Sequence, residues 1–92
     1  MTLRIATYNI RKAGRGRQRA IADVLVALDA DITVLQEATD PRVVAWLAEV
    51  TGCAIAIGGA GRSIAVLSRV PRPEGRWHAY RMGHAFGELD LG

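Results

Sequence analysis

Two oxygen-bearing side chains, Asn9 and Glu37, each follow a short segment with the composition of a β-strand. An amide oxygen and a carboxylate are hard ligands that suit Mg²⁺ or Mn²⁺ and suit zinc or copper poorly. Because Mg²⁺ keeps several waters and takes only one or two protein carboxylates, one glutamate beside one asparagine is sufficient for a site. Each residue also has an ordinary alternative. An asparagine at a strand end often begins a turn, and such a glutamate often faces water or caps the next helix.

Gln36 stands between the predicted buried strand and Glu37, and two interpretations of it stay open. In the first, its amide orients Glu37 by hydrogen bonding, as residues behind a metal ligand commonly do. In the second, it is a hydrogen-bonded polar residue of the sheet.

A basic stretch follows Asn9, with no acidic residue before Asp23. Arginine presents a planar fork of donors that matches phosphate oxygens. The whole chain carries a formal charge of +3. The stretch is therefore a candidate phosphate-binding loop, with a solvated surface loop as the alternative. Its candidate phosphate-binding residues are Arg11, Lys12, Arg15 and Arg17, and Arg19 follows them.

The hydrophobic pattern predicts a βαβ unit that positions these residues. Leu3–Asn9 and Ile32–Gln36 are rich in the branched and apolar residues typical of strands. Between them, apolar residues of Gln18–Leu28 recur at i, i+3, i+4 and i+7, as on one face of an amphipathic helix. Strands joined in this way are parallel, and their carboxyl ends share the edge of the sheet where ligands collect. Asn9 and Glu37 should therefore meet.

The remaining sequence predicts a second helix and then four short strands. Asp40-Pro41 is typical of a helix start, and Gly52 stands where a C-terminal glycine is expected. The turn Gly58–Gly61 joins the first two strands as a hairpin. The predicted fold class is α/β, a partial mixed-sheet sandwich that starts with the βαβ unit and continues with a helix and antiparallel strands. These strands are Cys53–Ile57, Ser63–Ser68, Trp77–Met82 and Phe86–Leu91.

Composition is that of one globular domain, residues 1–92. Half of the residues are hydrophobic and 23% are charged, which argues against disorder. No apolar run approaches the roughly 20 residues of a membrane helix, and the first residues do not resemble a signal peptide. The single cysteine, Cys53, cannot form an internal disulfide, so we expect a reduced thiol in a cytoplasmic protein.

Four segments, in the same order, resemble the endonuclease/exonuclease/phosphatase superfamily. Leu3–Ile10 is similar to its opening strand, and Asp31–Glu37 is similar to its second motif, an apolar strand ending in Gln-Glu. Arg62–Pro71 resembles its apolar strand followed by Ser-Arg-x-Pro, and Gly87–Gly92 resembles the strand before a histidine-bearing one. The combination and its spacing carry the resemblance, because each motif is short.

The resemblance implies a phosphoester hydrolase that depends on Mg²⁺ or Mn²⁺, with Asn9 and Glu37 in the metal site. It also implies a complete fold of two mixed sheets covered by helices. The family's later catalytic histidine, Gly-Asp-x-Asn and Ser-Asp-His elements do not occur in this sequence, and His78 and His84 lie in a different context. We therefore expect an N-terminal, apparently truncated part of such a domain, which supplies the metal end of the site and is inactive alone.

The implied substrate is a phosphate ester, as for a phosphodiesterase, phosphatase or nuclease. Ile10-Arg11-Lys12 follows Asn9 where the family's DNA-repair nucleases have Val-Asn-Gly or Val-Asp-Gly, which disfavours an abasic-site nuclease. Nucleic acid, a phospholipid head group and a sugar phosphate all stay open as substrates. Two other roles also stay open: a truncated, non-catalytic domain that binds phosphate or nucleic acid through the basic loop, and a purely structural fragment.

Overall fold

The first three elements of the chain form the predicted βαβ unit. The computed structural model describes residues 2–59, 62–70, 74–79 and 85–90. Strand β1 spans Ile5–Asn9, helix α1 spans Gln18–Leu28 and strand β2 spans Ile32–Gln36. β1 and β2 are parallel, with Asn9 opposite Gln36. The prediction for these elements is confirmed, although β1 begins two residues later than expected.

Helix α2 spans Pro41–Thr51 and has the caps that its flanking residues predict. The Asp40 side chain accepts a hydrogen bond from the Arg42 backbone N–H at 3.0 Å, which pairs one of the free donors of the first turn. Gly52 has a φ of 70° and donates its N–H to carbonyls of the last turn, so the helix ends there.

The central sheet has four strands in the order β1-β2-β4-β3. β3 spans Ala54–Ile57 and β4 spans Ile64–Ser68. β4 is antiparallel to both β2 and β3, so the predicted antiparallel pair is confirmed. The sheet is mixed because β1 and β2 are parallel, and the fold class is α/β as predicted.

A second, two-stranded antiparallel sheet follows, with β5 at Glu74–Ala79 and β6 at Ala85–Asp90. β5 begins three residues before the predicted start at Trp77. Gly75 precedes the predicted strand but lies inside β5, where β5 packs closely on β3. A Cβ at Gly75 would lie 2.1 Å from the Ala56 carbonyl oxygen. Glycine in a strand often marks such a close backbone approach.

The two faces of the central sheet are covered differently. The helices cover one face with a buried core, whose larger members are Ile10, Ile21, Leu25, Leu35, Val43, Val44, Leu47 and Leu67. On the other face, Trp77 and Leu89 pack against a smaller cluster around Ile57. Toward β1 this face is open, since Ile5 is 62% exposed and Ile64 is 40% exposed. An apolar groove of about 510 Å³ lies there.

Several predicted features lie outside the described residues. They are Ala60 and Gly61 of the hairpin turn, Pro71, the predicted strand end beyond residue 79, His84, Leu91 and Gly92. Within the described ranges, neither helix has the length and apolar character needed to cross a membrane.

Candidate functional site

Asn9 and Glu37 meet at the carboxyl ends of β1 and β2. The register places Asn9 opposite Gln36, so Glu37 follows directly at the same edge of the sheet. The Asn9 side chain lies close enough to the Glu37 carboxylate to lower the pKa of that group. Asn9 Oδ1 accepts the Arg11 backbone N–H at 2.9 Å, and Glu37 Oε1 accepts the Lys12 backbone N–H at 3.2 Å. The structure therefore brings together the two residues that the βαβ unit predicts as neighbours.

The surroundings of Glu37 favour its ionised form. The Asn9 side chain is the main reason that the pKa of Glu37 lies below its ordinary value, and the Lys12 backbone N–H adds to this effect. The positive charges of Arg11 and Arg17 act in the same direction, while partial desolvation opposes them. Glu37 is thus an exposed, charged carboxylate that its polar neighbours stabilise.

The segment after β1 is a left-handed turn. Residues 11–14 have φ angles between 48° and 71°. Residues with a Cβ adopt such angles at a cost of about 1 kcal/mol or more each. The Arg17 guanidinium stabilises the turn by donating to the backbone carbonyl of Ile10 at 2.7 Å and to the next carbonyl. Because the turn directs the Lys12 N–H at Glu37, Arg17 helps to position that carboxylate through the backbone.

The structure divides the four predicted phosphate-binding residues into two groups. Arg11 and Lys12 are exposed in the left-handed turn, at the edge of the sheet. Arg17 donates to backbone carbonyls, and Arg15 contacts the buried carboxylate of Asp40 through Nε at 3.4 Å. Arg11 and Lys12 are therefore the pair best placed to meet a phosphate at this edge.

Gln36 lies opposite Asn9 in the sheet, with its side chain exposed. Its backbone carbonyl accepts the Ile10 N–H at 3.1 Å, which extends the pairing of β1 and β2. Among the residues described, the polar neighbours that act on Glu37 are Asn9 and Lys12 rather than Gln36. The described contacts of Gln36 involve its backbone and not its side chain, so both interpretations of Gln36 stay open.

Asp40 is a site residue that the sequence indicates only as a helix cap. It is 6% exposed, and its carboxylate lies 3.4 Å from the Nε atoms of both Arg15 and Arg42. The Arg42 side chain is the main reason that the pKa of Asp40 lies below its ordinary value, and Arg15 contributes further. The sequence gives one indication of the contact between Asp40 and the basic loop. The loop follows β1 and Asp40 follows β2, and these are the two strands of the same βαβ unit.

Oxygen atoms of Asn9 and Glu37 retain lone pairs that could bind a hard cation. A carboxylate offers about four lone-pair sites, and the Lys12 backbone N–H occupies one of those on Glu37. The Asn9 amide oxygen accepts one N–H and retains a second lone pair. The described part of the chain contains no cluster of three or more His, Cys, Asp or Glu side chains arranged to hold a metal ion. An amide oxygen and a carboxylate are donors of the kind that Mg²⁺ accepts, and Mg²⁺ keeps much of its shell for water and phosphate.

No protein-family model and no curated protein matches this chain. The resemblance to the endonuclease/exonuclease/phosphatase superfamily thus rests on the four sequence segments.

Replacing Asp40 with asparagine should make the stability of the fold less dependent on pH in the acid range. Asparagine is an equally good N-cap, so Asp40→Asn removes the charge and keeps the cap. Because the folded-state pKa of Asp40 is lowered, its ionised form stabilises the fold above the unfolded-state pKa of about 3.9. That stabilisation is lost as pH falls through the lower folded-state pKa. In urea unfolding, the parent should therefore lose stability below about pH 4 more steeply than Asp40→Asn.

Asp23→Asn is the matched control, since it removes an exposed carboxylate from α1. Its loss of stability in acid should follow that of the parent. The same dependence in the parent and in Asp40→Asn would contradict the contribution assigned to the ion pairs of Asp40.

Proposed function

We propose that this chain is the metal-binding, N-terminal part of a phosphoester hydrolase that depends on Mg²⁺ or Mn²⁺. The observation that carries the proposal is the contact of Asn9 with Glu37 beside a turn of exposed basic residues. Oxygen ligands next to guanidinium and ammonium groups suit a metal-bound phosphate. The four resembling segments support a phosphodiesterase, phosphatase or nuclease, and the free Cys53 agrees with a cytoplasmic location.

Each residue of the edge has a distinct part in this proposal. Glu37 supplies the negative charge that holds the cation, and Asn9 fixes that carboxylate and offers a neutral oxygen. Arg11 and Lys12 attract and orient the phosphate ester. The bound metal ion supplies positive charge that polarises and neutralises phosphoryl oxygens. The resemblance assigns proton transfer to elements that this sequence does not contain, so the chain accounts for binding and not for the complete reaction.

The charges around Glu37 should make the binding of metal and of phosphate mutually dependent. Glu37 faces the positive charges of Arg11 and Arg17. Those charges repel a divalent cation that binds alone, whereas a phosphate anion neutralises them. Each ligand should therefore raise the affinity for the other.

The second candidate function is a non-catalytic domain that binds phosphate or nucleic acid through the basic loop. The charges at the edge favour this second function. Three basic residues, Arg11, Lys12 and Arg17, lie around one carboxylate, that of Glu37. Such a module requires no divalent ion, whereas the hydrolase does. Dependence on a divalent ion therefore separates the two candidate functions.

Titration with Mn²⁺, followed by the electron paramagnetic resonance of the free ion, tests the proposal. We expect the chain to bind Mn²⁺ at least about fivefold more tightly when dimethyl phosphate is present, because coupled ligands favour each other reciprocally. The same titration without protein corrects for Mn²⁺ that the ester binds directly. Phosphate binding that is independent of Mn²⁺ would favour the non-catalytic module. Failure to bind Mn²⁺ in either condition would overturn the hydrolase proposal.

A further inference from the structure

A second basic surface, here called the arginine groove, lies between the start of α1 and the first turns of α2. It is an open groove of about 620 Å³, which is within the usual range for small-molecule sites. The residues that concern its chemistry are Arg15, Gln18, Arg19, Asp40, Arg42 and Trp46. Asp40 follows Glu37 by three positions in the sequence, but among the described residues neither Asn9 nor Glu37 lines the arginine groove.

One buried carboxylate organises the arginines of this groove. Asp40 lies 3.4 Å from Nε of Arg15 and 3.4 Å from Nε of Arg42. The two arginine side chains are nevertheless 71% and 89% exposed, so most of their donor groups face solvent. With Arg19, three guanidinium groups line the groove with one acid, which gives the lining a net charge of +2. The groove is thus held ready for an anion before the anion binds.

Trp46 gives the arginine groove an aromatic side. The residue is half-buried and packs against the core on the helical face of the sheet. It lies one helical turn after Arg42, so the two side chains share one face of α2. An aromatic ring beside an arginine can accept a nucleobase by stacking while the guanidinium meets its phosphate.

We propose that the arginine groove binds a nucleotide, with the base stacked on Trp46 and the phosphates held by the three arginines of the lining. The proposal goes beyond the proposed hydrolase, because this binding requires neither Glu37 nor a divalent ion. It also goes beyond the non-catalytic alternative, because Arg42 and Trp46 of α2 lie outside the basic loop. An inorganic anion would leave the indole unused, and an apolar ligand would desolvate charged groups without pairing them. The ligand is a free nucleotide or one unit of a single strand, since both present the same base and phosphate.

Calorimetric titrations in EDTA with ADP, pyrophosphate and hexadeoxyadenylate test the site. ADP and pyrophosphate have similar charge, so the difference between them reports the contribution of the base. We expect ADP to bind about tenfold more tightly, because one base stacks on an aromatic side chain. Trp46→Leu should remove that advantage and leave pyrophosphate binding unchanged. Tighter binding of the hexamer than of ADP identifies a strand as the ligand, and equal or weaker binding identifies a free nucleotide.

Arg42→Gln provides a second test, which does not depend on a substitution near the core. Its side chain is 89% exposed, so the fold should tolerate the change. The variant should bind both ADP and pyrophosphate more weakly, and for the hexamer the logarithmic salt dependence should fall by about 0.7. Arg4→Gln is the matched control, because it removes one exposed charge just before β1, at the strand's opposite end. No ADP binding, equal affinity for ADP and pyrophosphate, or ADP binding that Arg42→Gln leaves intact would overturn the proposal.

Discussion

Replacing Glu37 with glutamine should weaken Mn²⁺ binding about ten- to a hundredfold when dimethyl phosphate is present. Glutamine has nearly the same shape, and its amide oxygen can still accept the Lys12 N–H that Glu37 Oε1 accepts at 3.2 Å. The substitution removes the negative charge that Asn9 and the neighbouring arginines stabilise. A divalent cation among basic groups depends on that charge, so its affinity should fall while the fold is retained.

Glu49→Gln is the matched control for this prediction. It makes the same chemical change at an exposed position of α2, away from the carboxyl ends of β1 and β2. Paramagnetic resonance titrations of the parent and both variants at neutral pH give three dissociation constants. Glu49→Gln should match the parent. If Glu37→Gln matched it as well, Glu37 would be a residue that only holds the left-handed turn, and its assignment to the metal would end.

Replacing Gly14 with alanine should destabilise the fold by about 2–3 kcal/mol, a large share of the stability of a small domain. Two costs contribute. Gly14 has a φ of 71°, where a residue with a Cβ loses about 1–2 kcal/mol. The added Cβ would also lie 2.9 Å from Ile21 Cδ1 and 3.3 Å from Ile10 Cδ1. Crowding of this kind typically costs about 1–3 kcal/mol, and the Ile21 methyl can move, which keeps this cost low in the range.

Gly16→Ala separates the backbone cost from the packing cost. Gly16 has a φ of 75°, but a Cβ added there would meet nothing within 4 Å. This variant should therefore lose only the backbone contribution of about 1–2 kcal/mol. Thermal unfolding should show the larger fall for Gly14→Ala, since each 1 kcal/mol lowers the midpoint by about 4–8 °C in a domain of this size. Equal losses would show that the core beneath the turn accommodates a methyl group.

Local sequence patterns predict the elements that position the candidate site. The periodicity of α1 matches the face it buries, since Ile21 and Leu25 are both in the core. Asp40 and Gly52 mark the ends of α2 because caps act within one turn of the helix. The contact of Asn9 with Glu37 could be predicted from connectivity, since a βαβ crossover places the ends of its strands at one edge.

The contacts that shape the site depend on residues distant in sequence. Three residues of the left-handed turn are not glycine, and no propensity predicts a positive φ for them. Arg15 and Asp40 are 25 positions apart, so the ion pair leaves no local pattern. From the sequence alone, Gly75 is typical of a turn. Its contact with Ala56 explains why a glycine lies inside a strand there. Propensity describes a segment by itself, whereas packing against other segments decides these conformations.

β1 lies at one edge of the central sheet, and in the described part of the chain it pairs with β2 alone. Opening β1, which is hydrogen-bonded to one neighbouring strand, costs less free energy than opening β2, which is hydrogen-bonded to two. Asn9 and the left-handed turn belong to the segment that opens, so opening separates Asn9 from Glu37 while the rest of the sheet persists. Ligands that require both residues bind the closed form only and slow amide-hydrogen exchange along β1. The proposed affinity at this edge would therefore depend on the local opening of a single strand.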